Sequence, residues 1–287
     1  MNRRDFLGNT LAGAAGLLAL PTLLPACTFT HDPLRDFGLI TNVVQTMMKE
    51  DPRGCMTLLA LMGYKYLEFG GSFGEKPSEL LRFMEEIGLK PLAGGSSISG
   101  LLGDGLKQSI DDCLEMNKPY LVCYWPWMDG GENPTMDQVK FAVEKFQLIG
   151  EECKRHGLRF AFHNHEKEFK VLDGKVIYEY ILEETDPELL TMEVDLYWAH
   201  KGKADIRDYF RSYPGRFELV HIKDSFESDS MQSFACAGSG IIDFPDLLSY
   251  REVAGFKHLI VEHDKPEPED EIACARSSIN YLKSSDF

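Results

Sequence analysis

Eight short apolar runs recur along this chain, and longer, mostly amphipathic segments lie between them. The clearest of these segments, residues 136–157, has apolar residues at the spacing of one helix face. Several segments end on a glycine just before the next run, which is typical of helix C-termini. Strands that alternate with helices form a parallel sheet. The eight runs are residues 37–41, 64–69, 89–94, 120–125, 158–163, 189–195, 217–224 and 258–264.

The first 27 residues have a different character from the rest of the chain. Arg3 and Arg4 precede residues 11–27, an apolar stretch without charge that is too short to span a bilayer well. This pattern indicates a secretory signal, and the arginine pair resembles the twin-arginine export motif. The sequence LPAC at 24–27 resembles a lipobox, with an ordinary cleaved signal and an incidental cysteine as the alternative. We expect an exported protein, periplasmic or anchored to the membrane by a lipid on Cys27.

The remaining residues, 28–287, have the length of one barrel domain, which is typically ~250 residues. This part of the chain has no evident linker, repeat or low-complexity tract. A closed barrel fits eight strands at this length better than an open doubly wound sheet. We therefore predict a single α/β domain, a (β/α)8 TIM barrel, over residues 28–287.

Charge and cysteine content narrow the class of protein further. The formal net charge of −16 repels phosphate backbones, which excludes nucleic acid as a partner. The cysteines after the signal are scattered and form no CxxC pair. A chain that folds in the cytoplasm before export folds in a reducing environment, so buried free thiols are expected instead of a disulfide framework. One bridge stays open as an alternative among Cys55, Cys113, Cys123, Cys153, Cys236 and Cys274.

The alternation of side chains along a strand predicts which residues face the barrel lumen. In the fifth run, Phe160 and Phe162 take the helix side, so His163 points inward. The same parity turns one residue inward near the end of each later run. Barrel enzymes place their active sites at this C-terminal end of the strands. The inward residues of runs five to eight are His163, Asp195, His221 and Glu262.

These inward residues predict a metal site. Charged groups inside a barrel are costly unless they are paired or bind a metal. A salt-bridged polar layer at the barrel top is the alternative, but four ligand-type residues on four consecutive strands favour a metal. Two imidazoles and two carboxylates suit a divalent cation. We predict one ion (Mn²⁺, Co²⁺, Zn²⁺, Ni²⁺ or Mg²⁺) bound by His163, Asp195, His221 and Glu262.

Five sequence motifs carry a family resemblance over essentially the whole chain after the signal. The strings FHNHEKEF, MEVDLYWAHKG, HIKD, GSGIIDFPDLL and VEHD resemble the xylose isomerase-like TIM barrels. The closest resemblance is to the sugar phosphate isomerase/epimerase group, which includes inosose dehydratase-like and tagatose epimerase-like members. The HIKD motif alone is weak evidence for this family, but five motifs in the same order are specific to it. The resemblance implies one divalent metal bound from strands five to eight, and Asp195, His221 and Glu262 match that pattern.

The chain departs from much of this family at strand five. Many members have a glutamate, both ligand and base, where this chain has His163. His163 is the ligand by parity, and His165 is the alternative. Residues 93–100 also lack a histidine that is often found on strand three. These departures argue against a two-glutamate epimerisation mechanism.

Three residues are predicted to act in proton transfer or charge stabilisation. Glu262 binds the metal and serves one face of the substrate carbon. Glu68 enters the lumen from strand two as a general acid/base or hydroxyl acceptor, with a buried salt bridge as the alternative. Lys223 neutralises an enolate oxygen, or else pairs with Glu193.

Four residues near the strand ends are predicted to contact substrate. Trp125 and Trp198 follow strands four and six, where their rings either stack on the C–H face of a sugar or fill the barrel rim. Glu168 is expected to bind substrate hydroxyls. His165, if it is not a ligand, lies beside them.

This residue set predicts an enzyme for a small carbohydrate. A divalent metal bound to a carbonyl and its neighbouring hydroxyl acidifies the C–H bond between them, because it stabilises an enediolate. Isomerisation or epimerisation is the first interpretation, and a lyase or dehydratase of keto-glycoside or inosose type is the second. A non-catalytic saccharide-binding barrel is a third. Free sugars or keto-glycosides are favoured over phosphates, because no Arg and Lys cluster offers a phosphate site. The oligomeric state is not indicated.

Overall fold

Eight parallel strands close into a barrel, which confirms the predicted fold. The computed structural model describes residues 31–287 except 132, 265, 268 and 269, so the predicted signal with Arg3, Arg4 and Cys27 lies outside the described residues. Leu39 of the first strand pairs with both Leu67 and Val261, which closes the barrel. The barrel strands are β1 Gly38–Ile40, β2 Tyr66–Glu68, β3 Lys90–Ser97, β4 Tyr120–Trp125, β5 Arg159–His163, β6 Leu190–Asp195, β7 Leu219–Ile222 and β8 His258–Val261.

Helices connect the strands. They are α1 Gln45–Glu50, α2 Pro52–Met62, α3 Pro77–Glu86, α4 Asp104–Glu115, α5 Met136–Arg155, α6 Ile177–Glu184, α7 Leu196–Lys201, α8 Ile206–Ser212, α9 Phe244–Leu248, α10 Arg251–Ala254 and α11 Glu271–Ser284. Short 3-10 segments cover Pro33–Arg35, Thr41–Val44, Ile98–Leu101 and Glu166–Phe169. Among the described residues, no helix has the length and apolar character needed to cross a membrane.

Two small hairpins extend the barrel top. Val171–Leu172 pairs with Lys175–Val176 in the connection after β5. Asp224–Ser225 pairs with Phe234–Ala235 in the connection after β7. Both hairpins therefore stand beside the strand ends that the sequence assigns to the functional site.

Local sequence explains how the helices begin and end. Thr135 and Gln138 form a capping box at the start of α5, which satisfies backbone N–H groups that have no partner within the helix. Gly63 and Gly255 adopt left-handed φ values of 101° and 84° after α2 and α10. Glycine adopts this conformation at little steric cost, so each helix stops there and the next strand begins.

The core between strands and helices follows the predicted parity. The rings of Phe160 and Phe162 pack against Phe146 of α5, with centroid distances of 5.7 and 5.0 Å. All three side chains are fully buried. Because alternate residues of β5 face α5, His163 is left on the lumen side.

An ion-pair cluster around the buried Glu218 lies at the opposite end of the barrel. Glu218 accepts hydrogen bonds from Tyr120 Oη at 2.9 Å and Arg159 Nε at 3.2 Å, and Lys257 Nζ lies 3.0 Å away. Burial opposes the charge of Glu218. The hydrogen bonds from Lys257 and Tyr120 and the charge of Arg159 outweigh it and lower the pKa of Glu218.

One disulfide departs from the expected free thiols. Cys236, in the connection after β7, bridges to Cys274 of α11 across 38 residues of sequence. Packing of α11 beside that connection brings the two Cα atoms to 5.4 Å, a tertiary proximity that spacing along the chain does not show. The expectation of buried free thiols holds for Cys55, Cys113, Cys123 and Cys153.

Candidate metal centre and substrate cavity

Four side chains from consecutive strands meet at the C-terminal end of the barrel. His163 ends β5, Asp195 ends β6, His221 lies in β7 and Glu262 follows β8. Asp195 and His221 are register partners, so the β6 and β7 side chains emerge at the same level. The four side chains are buried, and one ligand atom from each lies within 4.8 Å of the others. The structure therefore brings the predicted ligands together.

The charges of the two imidazoles differ. Burial lowers the pKa of His163 well below its usual range, and the neighbouring His221 and His165 lower it further. Burial also opposes a charge on His221, but Glu193, Glu262 and Glu68 outweigh it and raise its pKa well above its usual range. His163 is thus neutral, with a free lone pair. His221 is therefore protonated and lies between carboxylates. A bound metal cation could neutralise these carboxylates in place of the proton.

Lys223 is the fixed positive charge of the site. Its Nζ lies 2.9 Å from Asp195 Oδ2, 3.4 Å from Glu262 Oε2 and 3.0 Å from Asp264 Oδ2. Burial opposes its charge, but these carboxylates outweigh it and raise the pKa of Lys223 above its usual value. Among the described residues its ion-pair partners do not include Glu193, so that alternative was wrong. Glu193 lies two residues earlier in β6 than Asp195, nearer the barrel interior.

An open cavity of about 410 Å³ lies above these residues. Three imidazoles line it, those of His163, His165 and His221. Among the described lining residues, the carboxylates are those of Glu262 and Asp264. Because both follow β8, acidic groups reach the cavity from one side.

The sequence relationships agree with this architecture. Residues 56–285 match the sequence profile of the xylose isomerase-like TIM barrel family. The chain belongs to this family. A curated relative, inosose dehydratase of Mesomycoplasma hyopneumoniae strain 7448, is 25% identical, and the alignment covers 79% of this chain and 86% of the relative.

Solved structures share the fold. A sugar phosphate isomerase/epimerase from Parabacteroides distasonis ATCC 8503 superposes with a TM-score of 0.76 at 24% identity, covering 92% of this chain and 98% of that one. The IolI protein with a bound zinc atom gives 0.69 at 15% identity, covering 87% and 98%. An L-ribulose 3-epimerase gives 0.65 at 16% identity, covering 86% and 93%. At these identities the likeness establishes the xylose isomerase-like barrel fold.

The two tryptophans that were predicted to contact substrate have different positions. Trp125 lines the cavity and meets His165 edge to face, with a centroid distance of 5.0 Å. Burial lowers the pKa of His165 to about 3, so this ring is neutral. Trp198 is absent from the cavity lining and packs against His165 at 5.3 Å. Trp198 therefore packs behind the cavity-lining ring of His165, which agrees with the alternative that it fills the barrel rim.

Glu168 does not reach the cavity, contrary to the predicted contact with substrate hydroxyls. The 3-10 turn Glu166–Phe169 folds its carboxylate back into the protein, where it is fully buried. Oε1 accepts a hydrogen bond from Trp127 Nε1 at 3.0 Å, and Oε2 accepts one from the His165 backbone N–H at 2.6 Å. Burial raises its pKa to about 8. Its visible role is to hold the turn that carries His165.

Glu68 lies beneath the ligand cluster. It is fully buried and does not line the cavity. Oε1 accepts a hydrogen bond from Tyr124 Oη at 2.6 Å, and Oε2 lies 3.1 Å from His221 Nε2. The contact with His221 matches the buried-pair alternative. Glu68 cannot exchange a proton with a substrate directly. A proton would have to pass through the hydroxyl group of Tyr124, which does line the cavity.

Two further residues were missed by the sequence argument. Asn164, between the two histidines of HNH, donates to the Asp195 carbonyl at 3.3 Å and accepts from the Asp195 N–H at 3.0 Å. This amide bridge ties β5 to β6 at the height of the ligands. Tyr124 lies on the lumen face of β4 by the same parity that identified His163, so strand alternation contained the signal for it.

Proposed function

We propose that this protein is a divalent-metal-dependent isomerase that moves a proton beside the carbonyl group of a sugar or sugar-like polyol. The observation that carries the proposal is the cluster of His163, Asp195, His221 and Glu262, three of which line an open cavity, with Lys223 beside Asp195. Zinc bound to the IolI protein, which shares the fold, supports a metal in this barrel.

The residues present fit such an ion. Two imidazoles and two carboxylates within 4.8 Å form a donor set suited to a borderline divalent cation. A cation there supplies Lewis-acid polarisation of a substrate carbonyl and its neighbouring hydroxyl. His163 would hold the ion through a neutral ring, and His221 would do so after loss of one of its two ring protons.

The chain's own residues then handle the proton. Asp264 lines the cavity, and its pKa is raised by burial although Lys223 opposes that rise. A carboxylate with a raised pKa is a better base and a more available acid near neutral pH. Lys223 does not line the cavity, but its charge lies 3.0 Å from Asp264 and stabilises the ionised form of that carboxylate. We assign the proton transfer to Asp264. Glu262 acts as a metal ligand on the side of the cluster that faces the cavity.

Isomerisation is favoured over epimerisation because the acidic groups lie on one side of the cavity. An epimerase removes a proton from one face and returns it to the other, which requires a group on each face. Glu262 and Asp264 both follow β8, and the facing wall of His165 and Trp125 carries neutral rings. Transfer between adjacent carbons on one face needs a single carboxylate.

Dehydration is a second candidate. The alignment with inosose dehydratase covers most of both chains at 25% identity, which favours a related reaction. A single carboxylate also suffices here, because it removes the proton beside the carbonyl and returns it to a hydroxyl that leaves from the same face. A third outcome, saccharide binding without chemistry, requires no stoichiometric metal.

The lining of the cavity favours an uncharged substrate. No lysine or arginine is among the described residues that line it, so nothing there matches a phosphate group. Export, which we propose from Arg3, Arg4 and Cys27, also favours free sugars or keto-glycosides over phosphorylated intermediates.

Incubation in D₂O separates these outcomes. Metal-loaded enzyme is mixed with a panel of ketoses, inososes and 3-keto-glycosides and followed by NMR. Deuterium beside the carbonyl together with a rearranged sugar supports the isomerase. Loss of water or of an aglycone with formation of an unsaturated ketone supports the lyase. Binding of saccharide by a protein that holds no metal and exchanges no proton would contradict both.

A further inference from the structure

Glu193 contacts both histidines of the proposed metal site from the interior of the barrel. It is fully buried, and neither carboxylate oxygen has a hydrogen bond of good geometry among the described residues. Its Oε1 lies 3.3 Å from His163 Nδ1 and 3.3 Å from His221 Nε2. Glu193 is the register partner of His163 in the neighbouring strand, which fixes this approach through the backbone.

A metal-bound imidazole needs a partner for its second nitrogen. One ring nitrogen gives its lone pair to the ion, and the other then carries a proton and requires an acceptor. A carboxylate in that place fixes both the tautomer and the orientation of the ring. An unpartnered buried carboxylate is costly, so Glu193 gains from receiving such N–H groups.

We infer that Glu193 is a positioning residue that accepts the Nδ1–H group of His163 and, together with Glu68, the Nε2–H group of His221, and so directs the opposite nitrogen of each ring toward the ion. His221 Nδ1, the nitrogen that remains, already lies 2.6 Å from the ligand Glu262. For His163 the remaining nitrogen is Nε2. The inference rests on the proposed metal centre and adds to it a carboxylate shared by two ligands.

A second metal ion beneath the first does not explain the arrangement equally well. Glu68, Glu193 and His221 do offer ligand atoms within 4.8 Å of one another. A neutral imidazole has one free lone pair, so His221 cannot bind an ion above through Nδ1 and another below through Nε2 without losing its last proton. Glu68 also accepts a hydrogen bond from Tyr124. Glu68 and Glu193 therefore act as acceptors.

The test compares Co²⁺ binding by wild type, Glu193→Gln and Glu193→Asp, measured by calorimetry and by the visible spectrum of the bound cobalt. Glu193→Gln should weaken affinity by about 10–100-fold and change the spectrum, with Glu193→Asp between it and wild type. Glu271→Gln is the matched control. Glu271 is a buried carboxylate of α11 that accepts hydrogen bonds from Thr46 and Met47 away from the site, so this variant should bind like wild type.

A measurement on the zinc-loaded wild type tests the inference even if the Glu193→Gln variant does not fold. Nitrogen–proton NMR correlations of the imidazoles should show a proton on Nδ1 of His163 and on Nε2 of His221. The opposite tautomer on either ring overturns the inference, as does wild-type affinity and spectrum in Glu193→Gln. Two ions per wild-type chain, falling to one in that variant, would make Glu193 a ligand instead. A wild type that binds no ion refutes the metal centre itself, whereas the other results leave it intact.

Discussion

Glu262 Oε2 lies 2.6 Å from His221 Nδ1, a contact between the ends of neighbouring strands β8 and β7. Burial opposes the charge of Glu262, but Lys223 and His221 outweigh it and hold the pKa of Glu262 well below its usual range. The pair is thus an ionised carboxylate against a protonated imidazole, buried at the base of the cavity. A divalent ion in place of this proton would add one further positive charge to a site that Asp195, Glu193 and Glu68 also surround with carboxylates.

Removal of a ligand carboxylate should remove the metal. We expect the protein purified without chelator to hold about one divalent ion, and Asp195→Ala and Glu262→Ala to lose most of it, because each change removes one of four donors. Metal content by mass spectrometry provides the measurement. Asp208→Ala, an exposed carboxylate paired with Arg211, is the control. Equal metal in all four proteins would contradict the assigned site.

Replacement of Asp264 should slow the reaction without removing the ion. Asp264→Asn is expected to lower kcat by about 10²–10⁴-fold, because a carboxamide does not carry the proton. Asp208→Asn, at an exposed carboxylate outside the cavity lining, is the comparison, and its turnover should stay within a few-fold of wild type. The measurement is kcat for the substrate identified in D₂O. Full activity of Asp264→Asn would move the proton transfer to another group, with Glu262 and Glu68 next to be tested.

The ion-pair cluster at the barrel base should make stability depend on pH. The folded-state pKa of Glu218 is lowered, so its contribution is present above the unfolded value near 4.3 and is lost as pH falls through the folded value. Glu218→Gln should cost about 1–3 kcal/mol at pH 7 and progressively less in acid. Urea unfolding at pH 7 and below pH 4 checks this. Glu252→Gln, at an exposed side chain, should change little at either pH. A pH-independent loss would argue that Glu218 acts through packing alone.

The Cys236–Cys274 bridge should stabilise the protein under oxidising conditions. The bridge closes a loop of 38 residues, and its loss should cost about 2–4 kcal/mol. Reductant is expected to lower the melting temperature of wild type and to have no effect on a Cys236→Ser/Cys274→Ser double variant. Cys153→Ala, which removes a buried free thiol, should retain the response to reductant. A wild type insensitive to reductant would show that the thiols stay unpaired in solution.

The amino-terminal residues should direct export. Changing Arg3 and Arg4 to lysine is expected to retain the precursor in the cytoplasm, because the twin-arginine route requires the arginine pair. Cys27→Ser should convert a membrane-attached product into a soluble or unprocessed one. Cell fractionation with immunoblotting measures both. Normal export of the double lysine variant would indicate the ordinary unfolded-chain route.

The periodicity of the sequence was sufficient to predict the barrel and the four side chains that meet at its C-terminal end. Eight apolar runs separated by helical segments permit few architectures, and period-two alternation assigns each strand residue to the lumen or to the helices. His163, Asp195, His221 and Glu262 followed from that parity because all four lie at strand ends, where the side chain's direction decides its surroundings. Tyr124 was equally accessible to this reasoning.

Tertiary structure decided the contacts that depend on height within the lumen and on the path of each connection. Parity places Glu193 and Asp195 on the same face of β6, but the stagger of neighbouring strands decides that Lys223 meets Asp195 while the two histidines meet Glu193. A 3-10 turn decides that Glu168 folds inward, and the packing of α11 decides that Cys236 meets Cys274. These pairs are distant in sequence, so their proximity is a property of the closed barrel, whereas the direction of a strand side chain is a property of the local backbone.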